Sequence, residues 1–180
     1  MYRTLGRVLN ALCVFMVDFV LAGALFFQFV LQEMPCPLCL LQRIAFIGLA
    51  IGPMLNVRFG VRAGHYGISL LSAVYGMAVS GRQVFLHIIP GTGGYGGTVL
   101  GLHLYTWAFI FFITSIVIIG IFLFYHDNFL EERDIVYSDG LTKLVFIITA
   151  LIVLINIIST FFECGMGQCP DNPTHYKILP

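Results

Sequence analysis

Charge is scarce in this chain. Only 10% of its 180 residues are charged, against roughly 25% in a soluble domain. The nine basic residues are balanced by nine acidic ones, so the net charge at pH 7 is zero. That balance argues against a nucleic-acid partner. No internal repeat and no separate soluble domain can be read. Arg3 and Arg7 precede the first apolar run as they would in a signal peptide, but no small-residue cleavage site comes before "EMPC". The run is therefore expected to be a retained helix.

What is abundant is apolar surface. Hydrophobic residues make up 59% of the chain, and the mean hydropathy is +0.95. This is the composition of an integral membrane protein. Five apolar runs stand out, at 8–31, 38–57, 66–88, 103–125 and 141–162, with a tail over 163–180. Each has about 20 residues, enough to cross a hydrocarbon core as a helix. The expected fold is all-α, a single membrane domain over 1–180 built as a bundle of five transmembrane helices.

Basic residues set the expected orientation. Arg3 and Arg7, then Arg58 and Arg62, then Arg133 and Lys143 fall on one side if five helices alternate. Arg43, Arg82 and Lys177 fall on the other. The richer side is expected to be cytoplasmic. The segment "HDNFLEERDIVYSDG" is also acid-rich, but acids count for little in this rule. The N-terminus then lies inside and the tail outside.

Five cysteines follow this division. Cys13, within the first run, reads as a small hydrophobe. Cys36 and Cys39 precede the second run, and Cys164 and Cys169, in "ECGMGQCPDNP", follow the fifth. Both pairs belong to the outer, oxidising side, where disulfide chemistry is expected. If the second helix begins near Cys36, then Cys36, Cys39 and Arg43 lie within about 60° of one another around its axis. A helix N-terminus and a nearby cation both favour thiolate over thiol, and the thiolate is the attacking species. Arg43 lies about a turn deeper, where a charge needs a partner. An anionic reduced cofactor, or its carbonyl oxygens, would serve.

The stretch "PCPLCLLQR" resembles the signature of the DsbB-type quinone-linked disulfide oxidoreductases, with "SGRQVFLHIIP" and "GLHLYTWAF" adding to the likeness. The resemblance covers most of residues 10–125 and implies a four-helix core, here with one extra C-terminal helix. It implies that Cys36 exchanges with a second cysteine pair, that Cys39 faces a quinone (ubiquinone or menaquinone), and that Arg43 supports quinone binding. It also implies a periplasmic, DsbA-like thioredoxin-fold partner and a multi-pass location in the bacterial inner membrane. Arg82, in the "GR" segment, becomes a further candidate for the quinone site. One departure matters. The family's second pair usually lies between helices three and four, but the loop "PGTGGYGGTVLGL" at 90–102 has no cysteine. The shuttle pair is expected in the tail instead, as Cys164 and Cys169.

Competing readings stand beside this one. The tail pair is also a candidate for a static disulfide, or, with His175, for a zinc site short of ligands. Asp18 and Gln28 are polar residues inside the first run, and Asp18 reads as structural or functional. His87 and His103 are candidates for interfacial anchors, for contact with quinone oxygens, for proton delivery or for holding a b-type haem. Tyr95, Tyr105 and Trp107 read as interfacial aromatics. The five glycines within 91–97 read as a surface loop rather than a phosphate cradle. No metal is expected. The rival functions are a vitamin K epoxide reductase-like enzyme, which usually carries its quinone-facing pair on its last core helix, and a non-enzymatic membrane subunit stapled by disulfides.

Overall fold

The computed structural model describes residues 2–89, 91, 93–124 and 136–178. Expectations that fall on Arg133, on the inner end of the fourth run at 125, on Pro90 and on the last two tail residues lie outside them. The described chain forms five helices, α1 (Tyr2–Phe29), α2 (Pro37–Phe59), α3 (Ala63–Leu86), α4 (Leu104–Phe124) and α5 (Gly140–Cys164). Two short strands, β1 (Thr98–Val99) and β2 (Leu102–His103), pair antiparallel between α3 and α4. Leu100 and Gly101 join them with φ of 51° and 81°, the left-handed pair that a tight hairpin turn requires.

Four of the helices, α1, α2, α4 and α5, are long and apolar enough to cross a membrane. The run expected at 66–88 does form a helix, of 24 residues, but not one of comparable apolarity. It carries His65, Ser69, Ser72, Ser80, Arg82 and Gln83, with several glycines. The reason lies in its position, since α3 packs between α2 and α4. There small residues let helix backbones approach. A side chain at Gly52 would collide with the His65 carbonyl and the Ser69 hydroxyl, and Ser69 donates to the Leu49 carbonyl at 2.8 Å. On the other face, Gly76 receives the ring of Phe112, itself stacked on Phe46 at 4.3 Å. We predict that Gly76→Val costs about 1–3 kcal/mol through overpacking. A melting temperature in detergent no lower than that of the unaltered chain would remove Gly76 as the contact that sets the α3–α4 spacing.

The fifth helix docks through polar residues. Thr142, Thr149, Asn156 and Glu163 recur every seven positions along α5, and all are buried. Each meets a polar group from α1 or α2. Arg7 Nη2 donates to Thr142 Oγ1 at 3.2 Å, and Thr149 Oγ1 donates to Asp18 Oδ2 at 2.9 Å. Arg43 Nη1 donates to Asn156 Oδ1 at 3.4 Å, and Gln28 Nε2 to Glu163 Oε2 at 3.5 Å. The seven-residue repeat keeps one stripe facing one neighbour. Asp18 thus receives a structural partner in mid-helix.

These ties also fix direction. Arg7 and Asp139, at the starts of α1 and α5, form an ion pair at 2.9 Å. Gln28 and Glu163 join their ends, so the two helices run parallel. Asp139 caps α5, accepting from the Thr142 N–H at 3.2 Å. The Arg7 guanidinium, and then the Thr142 donors, hold its carboxyl well below the usual carboxylate range. A depressed carboxylate contributes stability above its unfolded value, and that contribution is lost only as pH falls through the lower folded value. The cap therefore survives mild acid.

Candidate functional site at the start of the second helix

Proline and cysteine chemistry begins α2. Cys36 is extended, with φ −75° and ψ 164°, and acts as the N-cap, its sulfur accepting from the Cys39 N–H at 3.2 Å. Pro37 occupies the first helical turn, where a missing N–H costs nothing. This geometry brings the two cysteines together as a disulfide with a Cα–Cα distance of 5.0 Å.

The two sulfurs have different surroundings. Cys36 is buried. Cys39 lies on the wall of a cavity of about 690 Å³. That cavity runs the length of the bundle between α1 and α4, from Leu9 and Tyr66 to Glu33 and Met34. Arg43 and Gln42 line it as well. Cys39 and Arg43 thus line one cavity, while Cys36 does not.

Arg43, however, meets protein groups. Its guanidinium donates to Gln28 Oε1 at 2.7 Å and to the Ala24 carbonyl at 3.0 Å, besides Asn156. Gln28 turns its amide nitrogen toward Glu163 Oε2 and, at 3.3 Å, toward the hydroxyl of Tyr176 in the tail. Glu163 is fully buried, and its Oε1 has no partner among the described residues. A polar bridge therefore runs from the cavity wall, through α1, to the end of α5 and the tail.

Directly after Glu163, Cys164 and Cys169 form the second disulfide, with a Cα–Cα distance of 4.5 Å. Cys164 is 4% exposed, whereas Cys169 is half-buried. The tail folds back on its helix, with the Ile178 N–H donating to the Phe162 carbonyl at 3.1 Å. The loop before α4 covers the same end of the bundle. Tyr95 donates to the Met34 carbonyl at 2.8 Å, and Glu33 accepts from the Gly97 N–H at 2.8 Å. Burial first, then the carboxylates of Glu163 and Glu33, push the Tyr95 phenol up.

Arg82 is exposed and is not on the cavity wall. Its neighbour Gln83, rotated by about 100° on the helix, is the one turned inward. Gln83 is 1% exposed, and its Nε2 lies 3.2 Å from Cys36 Sγ and 3.6 Å from Cys39 Sγ. Gln42 Nε2 donates to Gln83 Oε1 at 2.7 Å, which aims the Gln83 amino group at the disulfide. Sequence reasoning passed over Gln42, Gln83, Asn156, Glu163 and Tyr176. The legible signals were a polar residue in the apolar run after "GR" and the seven-residue polar stripe of α5.

The two histidines face one ring. His87 and His103 lie 5.4 Å and 5.2 Å from the Tyr105 ring centroid. No group of three or more metal-ligating side chains occurs among the described residues. His103 Nδ1 is bound to the Gly96 carbonyl at 3.1 Å.

Helices apolar enough to span a bilayer, with a disulfide at a helix mouth beside an apolar cavity, define a membrane protein of the thiol–disulfide class. Residues 6–93 match the family model described as disulfide bond formation protein DsbB. A disulfide bond formation protein B of Cupriavidus metallidurans is 42% identical over 81 residues, covering 44% of this chain and 50% of the relative. Disulfide bond formation protein B 1 of Pseudomonas savastanoi pv. phaseolicola is 42% identical over 74 residues, covering 39% and 43%. A disulfide bond formation protein B of Burkholderia thailandensis is 36% identical over 74 residues, covering 39% and 44%. The chain spans about half the length, or less, of these curated relatives. The matched stretch contains Cys36, Cys39, Arg43 and Gln83 and ends before the tail pair.

Proposed function

We propose that this chain is a thiol:quinone oxidoreductase of the bacterial inner membrane. It reoxidises a periplasmic DsbA-like thioredoxin-fold partner and so supports disulfide bond formation. The observation that carries the reading is the Cys36–Cys39 disulfide placed with Cys39 on the wall of the apolar cavity. The cavity volume falls within the roughly 300–1,000 Å³ of small-molecule sites. Its walls, largely apolar, carry Tyr105 and Trp107 as well as Cys39 and Arg43. These residues fit a quinone, either ubiquinone or menaquinone. When bound, the quinone supplies a two-electron acceptor.

The chain's own part is a relay of sulfurs. A partner thiolate attacks the Cys164–Cys169 disulfide, and the partner leaves oxidised. The reduced tail attacks Cys36, and Cys39 is released as a thiolate at the cavity wall. Closure of the Cys36–Cys39 disulfide then resets the chain. All five helices cross the membrane in this reading, with α3 shielded between its neighbours, the N-terminus cytoplasmic and the tail periplasmic. The parallel course of α1 and α5 supports a common face for both cysteine pairs. Cys36, Cys39, Cys164 and Cys169 carry the electrons and Arg43 borders the quinone. Arg82, exposed and off the cavity wall, is left out.

The test is quinone-linked oxidation of a reduced thioredoxin-fold dithiol protein by the purified chain. Quinone reduction should follow thiol oxidation one for one and vanish in Cys39→Ser. Turnover without quinone, or full turnover in Cys39→Ser, would overturn the reading.

A further inference from the structure

We propose that Gln83 is a catalytic residue of the Cys36–Cys39 pair, holding the Cys36 thiolate as the tail sulfur leaves it. The inference rests on the relay described above. It concerns a side chain that touches the reacting atoms.

Three observations meet at this sulfur. Cys36 Sγ has two N–H donors at 3.2 Å, the Cys39 backbone amide and Gln83 Nε2. Gln83 is almost wholly buried, so water does not compete for its amide. Its orientation is fixed by Gln42, which donates to Oε1. An amide turned the other way would set two donors against each other and point an oxygen at the sulfurs. Cys39, by contrast, has Gln83 Nε2 at 3.6 Å and opens to the cavity. Donors already in place around a site where charge develops stabilise that charge without reorganising. The helix start adds its own positive potential to the same sulfur.

This asymmetry gives the exchange a direction. After the tail attacks, a tail sulfur is bonded to Cys36 and Cys39 is a thiolate. The second tail thiolate then attacks its tail partner, the bond from that partner to Cys36 breaks, and Cys36 leaves with the electron pair. The tail disulfide re-forms and the Cys36–Cys39 pair holds the two electrons. The two protons given up by the tail thiols end on Cys36 and Cys39 or in solvent. A thiol that is more acidic leaves faster. The donors on Cys36 thus favour resolution toward the oxidised tail and the reduced helix pair, the sense in which electrons must travel.

Alkylation of Cys36 by iodoacetamide reads the thiolate directly and needs neither quinone nor protein partner. In the full chain carrying Cys39→Ser and Cys164→Ser/Cys169→Ser, with Cys13→Ala to remove background, the rate should rise with pH through one midpoint. Adding Gln83→Met, close in shape but without the donor, should raise that midpoint by about one unit, a tenfold loss of thiolate below it. Gln42→Met, which leaves the Gln83 donor but frees its orientation, should move it in the same direction by less. It serves as the deciding variant if Gln83→Met does not fold. Unmoved midpoints in the folded variants would overturn the role of Gln83. A Gln83-dependent midpoint in a chain that passes no electrons to quinone would instead overturn the proposed function and leave this inference standing.

Discussion

Removing residues 164–180 should lower oxidation of a protein dithiol by roughly 10²–10⁴-fold, the range by which a tethered reactant outperforms a free one. Reduction of quinone by dithiothreitol acting directly on Cys36–Cys39 should persist. The expectation follows from where the cysteines are. The loop before α4 carries none, and the tail pair ends α5 beside Glu163, which Gln28 ties to Arg43 on α2. Exchange requires in-line contact between sulfurs, so the proposed relay needs the tail pair to reach Cys36. Replacing both tail cysteines with serine keeps Tyr176 on Gln28 and should give the same loss. An impermeant maleimide, applied to reduced spheroplasts, should label both pairs from outside. Near-normal oxidation of the protein dithiol by the truncated chain would demote Cys164–Cys169 to a staple.

Burial divides the labour within that tail. Cys164 is 4% exposed at the end of the helix, while Cys169 is half-buried and follows the exposed residues Met166, Gly167 and Gln168. The more exposed Cys169 is therefore the expected point of attack for a macromolecular thiol, with Cys164 as the inward sulfur. Cys164→Ser, incubated with the oxidised form of the protein partner, should therefore accumulate a mixed disulfide between Cys169 and that protein, formed as the Cys169 thiolate opens the partner's own disulfide. Cys169→Ser should accumulate one between Cys164 and Cys36. The reverse pattern on non-reducing gels would exchange the two roles. The sequence left this assignment open because spacing alone does not tell which of two sulfurs five residues apart faces the bundle.

Helix positions were legible because apolar runs of spanning length leave little choice of secondary structure. Cys36, Cys39 and Arg43 were open to reading together because "PCPLCLLQR" holds two cysteines and a cation at helical spacing, and the tail pair because Cys164 and Cys169 lie close together after the fifth run. Two features were harder to read. The small and polar residues of α3 lower its apolarity, although they are what allow α2 and α4 to pack against it. The polar stripe of α5 is visible in sequence as Thr142, Thr149, Asn156 and Glu163, but its partners are more than 100 residues away for Arg7, Asp18, Gln28 and Arg43. No local pattern names such partners. Gln83 differs from Arg82 by a single step of helix rotation, and only the packing of α3 against α2 decides which of the two meets the sulfurs.

Arg43→Ala should impair both quinone use and the fold, and the two effects can be separated. In sequence, the cation wanted an anionic or carbonyl partner, and the cofactor was the candidate. In the bundle it already serves Gln28 Oε1, Asn156 Oδ1 and the Ala24 carbonyl, each from a different position on α1 or α5. Loss of the guanidinium leaves the buried Gln28 and Asn156 oxygens short of a donor, at about 1–3 kcal/mol for each one left unpaired. The melting temperature should fall, and the tail should become easier to proteolyse as the Gln28 bridge loosens. The effect on quinone comes through the part of Arg43 that borders the cavity beside Cys39. Arg43→Lys keeps the charge but not the planar fork, so it should recover more of the quinone affinity than of the stability. Titrating quinone against a fixed concentration of dithiothreitol measures the first, and thermal melting in detergent the second. An Ala variant that melts early yet shows an unchanged apparent quinone affinity would confine Arg43 to holding α1, α2 and α5 together.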